Sequence, residues 1–466
     1  MPSDKNSGDA PPSKLVRFIK TPLGKICAAV LVLAVTGDVI WLLNDQSWRS
    51  GEAFSSSTNA PVPTKAEQAA RARRDQILSY VEPTVTAAMG DRGGTYFGQK
   101  PDPAKTRHYY IAAEVDQWDF MPSGTDEVCG MPVPPNVLAK HKDWKVRYVQ
   151  YTDQTFTQKV PQPARLGILG PVLRGVVGEY IEVTFLNRAL GGVFSMHPHG
   201  VKYDKDSEGS YHSDAVDKFQ SANNSGQPGA ARFEGLGAAV GYGARFTYVW
   251  YCDETSGPLP SEPSSKGWLY HSHVSSGSEI NLGLEGFIIV TDPKRARPDG
   301  TPNDVDREMA ALFMIFDESG VGDDEGAAVD AQQWTYMQLV KEHGQRFAIN
   351  GSIYGNLHGL DMNEGERVRW YLFGLGSEQD LHTAHWHGMR VVEDGRHRTD
   401  VVELLPASMK IADIVADNPG SWLFHCHVEE HMAGGMFARL TVYPKDQAGA
   451  SRAPEKAFFG LPPPSP

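Results

Sequence analysis

The segment Trp422-Leu423-Phe424-His425-Cys426-His427-Val428-Glu429-Glu430-His431-Met432-Ala433-Gly434-Gly435-Met436 places one thiol, three imidazoles and the Met436 thioether within fifteen residues. Trp422 to Val428 reads as a strand, and side chains along a strand alternate between its faces. His425 and His427 then project to one side and Cys426 to the other, which separates two metal sites. On the Cys426 side, His431 and Met436 follow at steps of five residues. One more His from elsewhere completes His₂Cys with a weak axial Met, the ligand set of a blue-copper electron-transfer centre. On the opposite face, His425 and His427 lie about 7 Å apart at their Cα atoms, at roughly 3.3 Å per strand residue. That span serves two neighbouring metals, only a few bonds from the Cys426 sulfur.

Three further stretches repeat the pattern: Met196-His197-Pro198-His199-Gly200, Tyr270-His271-Ser272-His273-Val274, and His382-Thr383-Ala384-His385-Trp386-His387-Gly388. Ten of the sixteen histidines fall in these four clusters, a density that chance placement does not account for. Setting aside His382 and His431, which suit the Cys426 site, leaves eight imidazoles in four HxH pairs. Eight imidazoles serve three coppers, two with three each and one with two. Such a cluster suits the four-electron reduction of O₂, in which several reduced metals deliver charge together while a remote site collects electrons singly. The protein's part is to fix ligands and exclude side reactions.

The order HxHG then HxH occurs twice, so the chain is an internal repeat. Runs rich in Val, Ile, Tyr and Phe, such as His108 to Val115, Trp144 to Tyr151, Tyr180 to Leu186, Gly286 to Val290 and Met309 to Phe316, alternate with turns of Gly, Pro, Asp and Ser. This spacing predicts an all-β protein of two sandwich domains, at residues 105–293 and 307–445, joined by a charged, Pro-rich connector. The formal charge of -13 argues against nucleic acid as a partner and leaves room for cationic substrates.

The ends read differently. Residues 1–25 are polar and basic, and 26–43 are apolar apart from Thr36, Gly37 and Asp38. No clear small-residue cleavage site follows, so an uncleaved signal anchor with its basic end in the cytoplasm is expected. The rest of the chain would be exported, on the periplasmic or extracellular face. Residues 44–104 read as a linker with a short helix, and 446–466 as a Pro-rich tail. Cys129 and Cys252 are candidates for a disulfide in an exported domain.

Across roughly residues 105 to 445 the chain resembles a multicopper oxidase, in detail a pair of ceruloplasmin/hephaestin-type cupredoxin domains. Beyond the four ligand motifs, the likeness includes Tyr109 to Glu114, Lys205-Asp206-Ser207-Glu208-Gly209, Phe347-Ala348-Ile349-Asn350-Gly351 and Asp380-Leu381-His382-Thr383. The resemblance implies two cupredoxin-like Greek-key β-sandwich domains. It implies a type 1 copper on His382, Cys426, His431 and Met436, and a type 2 copper on His197 and His385. One type 3 copper would take His199, His271 and His427, and the other His273, His387 and His425, making four coppers per chain. The HSH motif of the first domain has no Cys, so that domain would carry no type 1 copper. This matches the two-domain, laccase-like class, typically a homotrimer. The family pattern favours a cluster shared between neighbouring chains; the sequence alone leaves an intrachain cluster equally open.

The rival readings are a two-domain copper nitrite reductase and a non-catalytic interaction module like the clotting-factor domains that resemble ceruloplasmin. The first would carry its Cys in the first domain and lack the full set of eight histidines, and the second would have lost ligands. O₂ and a reducing substrate are the expected partners, and the electron donor is open. Glu430 directly precedes His431, and Asp380 lies two residues before His382, so both carboxylates are candidates to meet a donor. Oxygen ligands suit Fe²⁺ or Mn²⁺, and a carboxylate equally accepts a phenolic proton. Asp206 and Glu208 are candidate proton sources, Tyr203 a candidate redox relay, and Trp386 and Trp422 core residues.

Overall fold

The computed structural model describes residues 92–130, 132–139, 141–190, 192–210, 237–274, 278–317 and 345–447. The first half forms ten strands: β1 (Arg92–Gly93), β2 (Thr106–Asp119), β3 (Lys142–Tyr151), β4 (Leu173–Val176), β5 (Tyr180–Asn187), β6 (His197–Pro198), β7 (Lys202–Tyr203), β8 (Arg245–Tyr251), β9 (Ser265–His271) and β10 (Glu285–Thr291). The second half forms eleven: β11 (Arg307–Asp317), β12 (Gln345–Ile349), β13 (Asp361–Asn363), β14 (Arg367–Gly374), β15 (His382–Trp386), β16 (Val391–Glu393), β17 (His397–Thr399), β18 (Val401–Leu404), β19 (Met409–Val415), β20 (Gly420–Cys426) and β21 (Phe437–Tyr443). Three short helices, α1 (Pro135–Leu138), α2 (Ser278–Leu282) and α3 (Glu429–Ala433), sit in the connections.

Each half is two sheets. The first has order β1-β8-β5-β2-β3, with β7 beside β8, and faces β4-β10-β9-β6. The second has β12-β11-β14-β19-β16-β17 facing β13-β21-β20-β15-β18. The repeat seen in the motifs is also a repeat of strand pairing. Strand β2 runs parallel to β5 and antiparallel to β3, as β11 does to β14 and β12. Strand β10 runs parallel to β4 and antiparallel to β9, as β21 does to β13 and β20.

Strands β10 and β11 explain how the halves join. Both read as nearly unbroken apolar runs, and such strands are covered on both faces. In β10, Ile288 and Val290 enter the core of the first sandwich while Phe287 and Ile289 enter a separate cluster. In β11, Met309, Ala311, Phe313 and Ile315 enter the second core, and Ala310, Leu312, Met314 and Phe316 enter that same separate cluster. Period-2 alternation thus divides each strand between its own core and a shared interface. There Phe287 stacks on Phe373 with centroids 4.0 Å apart. Around this apolar contact runs a polar clamp. The buried Arg369 guanidinium donates to Asp304, Asp413, Ser264 and Ser265, and the Tyr371 hydroxyl lies 2.6 Å from Glu308 and 2.7 Å from Ser265.

Two expectations change. Among the described residues the first sandwich already includes β1, whose Arg92 and Gly93 pair with Phe246 and Thr247 of β8, ahead of the expected domain start at 105. Cys129 and Cys252 are both free thiols, the first exposed and the second buried in the first core, so no disulfide joins them. The anticipated anchor at 26–43, the linker up to residue 91 and the tail beyond 447 lie outside the described residues. Among the described residues no helix is long and apolar enough to cross a membrane.

Arg369→Ala removes a buried cation from between two carboxylates. Because both carboxylates stay partly exposed, its cost is expected near the low end of the range for broken buried pairs, about 3 kcal/mol. Chemical denaturation of the variant should show this as a lowered midpoint.

Candidate metal centre

The alternation expected for Trp422 to Val428 holds through β20, which ends at Cys426. Strand β15 lies beside it with His385 opposite His425 and Ala384 opposite Cys426. On the interior side, Cys426 Sγ lies 3.9 Å from His382 Nδ1 and 3.6 Å from His431 Nδ1, and the two nitrogens are 3.1 Å apart. His382 stands at the start of β15 and His431 in α3. Met436 is fully buried in the same core, and its carbonyl accepts the Cys426 N–H at 3.0 Å. The Thr383 N–H points to the sulfur at 3.5 Å. Burial raises the Cys426 thiol above its ordinary value, so ionisation there depends on a cation. Two imidazoles and a thiol side by side, with Met436 buried in the same core, are the donor chemistry of a blue-copper site.

The other imidazoles gather in two quartets. In the first sandwich, the ring centroid of His197 lies 5.3 Å from His199, 5.6 Å from His271 and 5.1 Å from His273. In the second, His385 lies 5.0 Å from His387 and 5.3 Å from both His425 and His427. The correspondence extends to single atoms. His199 Nε2 is 3.1 Å from His271 Nε2, and His387 Nε2 is 3.1 Å from His425 Nε2. His271 and His425 each donate Nδ1–H to the carbonyl of the next residue, Ser272 and Cys426, at 2.9 and 2.7 Å. His197 and His385 each donate Nδ1–H to a backbone carbonyl, of Glu208 at 2.6 Å and Asp400 at 2.8 Å. Holding Nδ1 in this way leaves Nε2 as the lone-pair nitrogen that binds a metal. Burial, with smaller effects from neighbouring rings, lowers His271 to about 3 and His199 and His425 to about 4. These rings are neutral, as ligands must be.

The glycine after the first HxH pair of each half has a steric cause. Gly200 and Gly388 have φ of +69° and +72°, and a Cβ on them would fall 2.0 Å from Trp268 and 2.9 Å from Trp422. Trp386 is buried and Trp422 packs against the same core, as expected.

The first sandwich keeps the outline of a thiolate site without its ligands. Ser272 occupies the place of Cys426, and its Oγ accepts the Ser195 N–H at 3.0 Å where Cys426 Sγ faces the Thr383 N–H. Phe194 stands three residues before His197, as His382 does before His385. Leu284 offers its carbonyl to the Ser272 N–H, as Met436 does to Cys426.

Of the other candidates, Asp380 is placed differently from its sequence reading. Asp380 does not meet the surface: it is 1% exposed, and its Oδ1 lies 3.2 Å from His382 Nε2. Glu430 is exposed on α3, and Asp206 is exposed as well. Glu208 reaches His197 through its carbonyl, while its carboxylate pairs with Lys205 at 2.9 Å. The half-buried Tyr203 ring lies 5.9 Å from the His197 ring. Sequence reading missed the Phe347 ring, 5.3 Å from the His431 ring. It also missed the backbone carbonyls that set each tautomer, which leave no residue-type signal.

Comparison with known proteins gives the family. The profile of the family described as multicopper oxidase matches residues 328–446. Hephaestin of Rattus norvegicus is 35% identical over 366 residues, covering 72% of this chain and 29% of hephaestin. This chain belongs to the multicopper oxidase family. This chain is also similar to a Homo sapiens protein named ferroxidase HEPHL1 and to Homo sapiens coagulation factor V. The first is 33% identical over 360 residues, covering 72% of this chain and 29% of that one. The second is 34% identical over 349 residues, covering 73% and 15%. A solved structure described as a multicopper oxidase aligns at a TM-score of 0.46 and 18% identity, over 72% of this chain and 89% of that one. The chain thus spans less than a third of the length of each of these curated relatives.

In the metal-free protein the buried rings stay neutral while imidazoles of the unfolded chain take up protons below about 6.5. The folded values are depressed, so this contribution is complete above the unfolded value and is lost as pH falls. Thermal melts should show Tm dropping between about pH 6.5 and 4, and His271→Gln should flatten that drop.

Proposed function

We propose that this multicopper oxidase couples one-electron oxidation of a donor to the four-electron reduction of O₂ to water, as an oxidoreductase using four coppers per chain. His382, Cys426, His431 and Met436 hold the type 1 copper. His197 and His385 hold the type 2 copper, His199 and His271 with His427 one type 3 copper, and His387 and His425 with His273 the other. Bound there, copper supplies single-electron uptake at Cys426 and joint delivery of four electrons to O₂. Four donor oxidations and four protons then balance each O₂ converted to two waters.

The observation that carries this reading is the completeness of the donor set. A nitrite reductase would carry its thiolate in the first domain, where Ser272 stands, and an interaction module has no use for eight clustered imidazoles, four of them held by backbone carbonyls. The chain's own residues do the rest. Backbone carbonyls of Glu208, Ser272, Asp400 and Cys426 orient the rings, and the Thr383 N–H faces the sulfur. The exposed Glu429 and Glu430 stand beside His431, where electrons enter. Their oxygens suit a hard cation such as Fe²⁺, in keeping with a relative named a ferroxidase; a phenolic donor would instead hand them its proton.

The cluster is assembled between chains. Within one chain, among the described residues, no ring of one quartet meets a ring of the other. The sheet carrying the first quartet packs its outer face on the β11–β14 sheet of the second sandwich, while the second quartet lies on the opposite sheet with His387 and His427 exposed. Repeating the internal domain contact from chain to chain is a head-to-tail arrangement, which closes into a ring. Three copies give six sandwiches, a homotrimer. The basic stretch 1–25 and the apolar run 26–43 support an exported, membrane-anchored enzyme.

The copper-loaded protein should bind about four coppers per chain and show an intense visible band from Cys426. Cys426→Ser should abolish that band and nearly all donor oxidation, while retaining most of the remaining copper. Oxidation at the full rate in that variant would end this reading. Complementation tests the assembly. A chain with His199→Ala and His273→Ala and another with His387→Ala and His427→Ala are each inactive. When dissociated and reassembled together they should recover part of the activity, because some mixed interfaces pair two intact quartets. No recovery from well-formed mixed trimers would place the cluster within one chain.

A further inference from the structure

Asp380 is a buried carboxylate whose surroundings tie it to one metal ligand. Its side chain is 1% exposed. Oδ1 accepts the Ile315 N–H at 2.7 Å and lies 3.2 Å from His382 Nε2, while Oδ2 accepts the Ser377 N–H at 2.7 Å and the Ser377 hydroxyl at 3.3 Å. Three chain segments, β11, the 377 turn and the start of β15, therefore fix one carboxylate against one ring. The two imidazoles facing Cys426 are unlike in this respect. His382 has its outer nitrogen on a buried carboxylate, and His431 has its ring against Phe347 beside the exposed Glu430.

We propose that Asp380 is a positioning residue that sets the reduction potential of the type 1 site through His382, leaving His431 as the route of electron entry. This rests on the oxidase reading above. The His382 Nδ1 faces Cys426, so its Nε2–H donates to Oδ1 and the tautomer is fixed. Donation to a carboxylate makes the imidazole a stronger donor and places a negative charge one ring away from the metal. Both effects favour the more positively charged, oxidised state. In a dry pocket such a charge acts with little screening. The site therefore sits at a lower potential than its His₂Cys-Met ligands alone would give. This eases onward transfer to the cluster at the expense of driving force from the donor.

Asp380→Asn and Asp380→Ser remove the charge in side chains of different shape, and Ser377→Ala loosens the same turn while keeping the charge. The potential is read by redox titration of the visible band in copper-loaded full-length protein. Both Asp380 variants are expected to retain the band and to raise the equilibrium constant for reduction at least tenfold, which is about 59 mV for one electron. Ser377→Ala is expected to stay within twofold of the parent. An unchanged potential in either banded Asp380 variant, or an equal shift in Ser377→Ala, overturns the proposal. If neither Asp380 variant retains the band, Asp380 is a folding element and the proposal also falls. Absence of the band in the parent protein is a different failure, that of the oxidase reading itself.

Discussion

The pairing of β15 with β20 is the constraint on which the rest depends. It puts His385 opposite His425 and Ala384 opposite Cys426, so one register decides which side chains face the interior and which face the cluster edge. A slip by one residue would exchange the two faces. Burial of Phe424 and Cys426 on the core side, with Trp386 and Trp370 packed against Phe424, makes such a slip costly. The same device recurs in the first sandwich, where His197 pairs with His271. Two neighbouring residues of one strand thus serve two sites without sharing a ligand.

The sandwich core buries His382, Cys426, His431 and Met436, while the HxH pairs stand at or near strand ends, where on the proposed reading rings meet rings from another chain. Backbone carbonyls do much of the chemistry here. They orient His197, His271, His385 and His425 with no charged partner, whereas His382 is oriented by a carboxylate. The difference matches the tasks. On the proposed reading, cluster ligands have only to bind metal, but the ligands of an electron-collecting site also set an energy. The first sandwich shows how little separates a site from its absence. Ser272 keeps the hydrogen bond at the position of Cys426, and Phe194 and Leu284 fill the space with apolar packing.

Much of this was readable from the sequence because metal ligands are few residue types at fixed spacings. The period of two along Trp422 to Val428 separated the sites, and the HxHG/HxH order gave the repeat that the strand pairings repeat. Three things were not readable. The tautomers depend on carbonyls, which every residue has. The burial of Asp380 depends on Ile315 and Ser377, distant in sequence, so a carboxylate near a ligand looked like a docking group. The free state of Cys129 and Cys252 depends on where two loops lie in space, and counting cysteines does not report that. Strands β10 and β11 also read as ordinary core strands, although half of each is an interface between domains.

The most direct test of the account is anomalous scattering at the copper edge from crystals of the copper-loaded protein. The account predicts one peak per chain among His382, Cys426 and His431. It also predicts three peaks close together where the His197 quartet of one copy meets the His385 quartet of the next. A peak at Cys426 alone, or three peaks formed within a single chain, would contradict it.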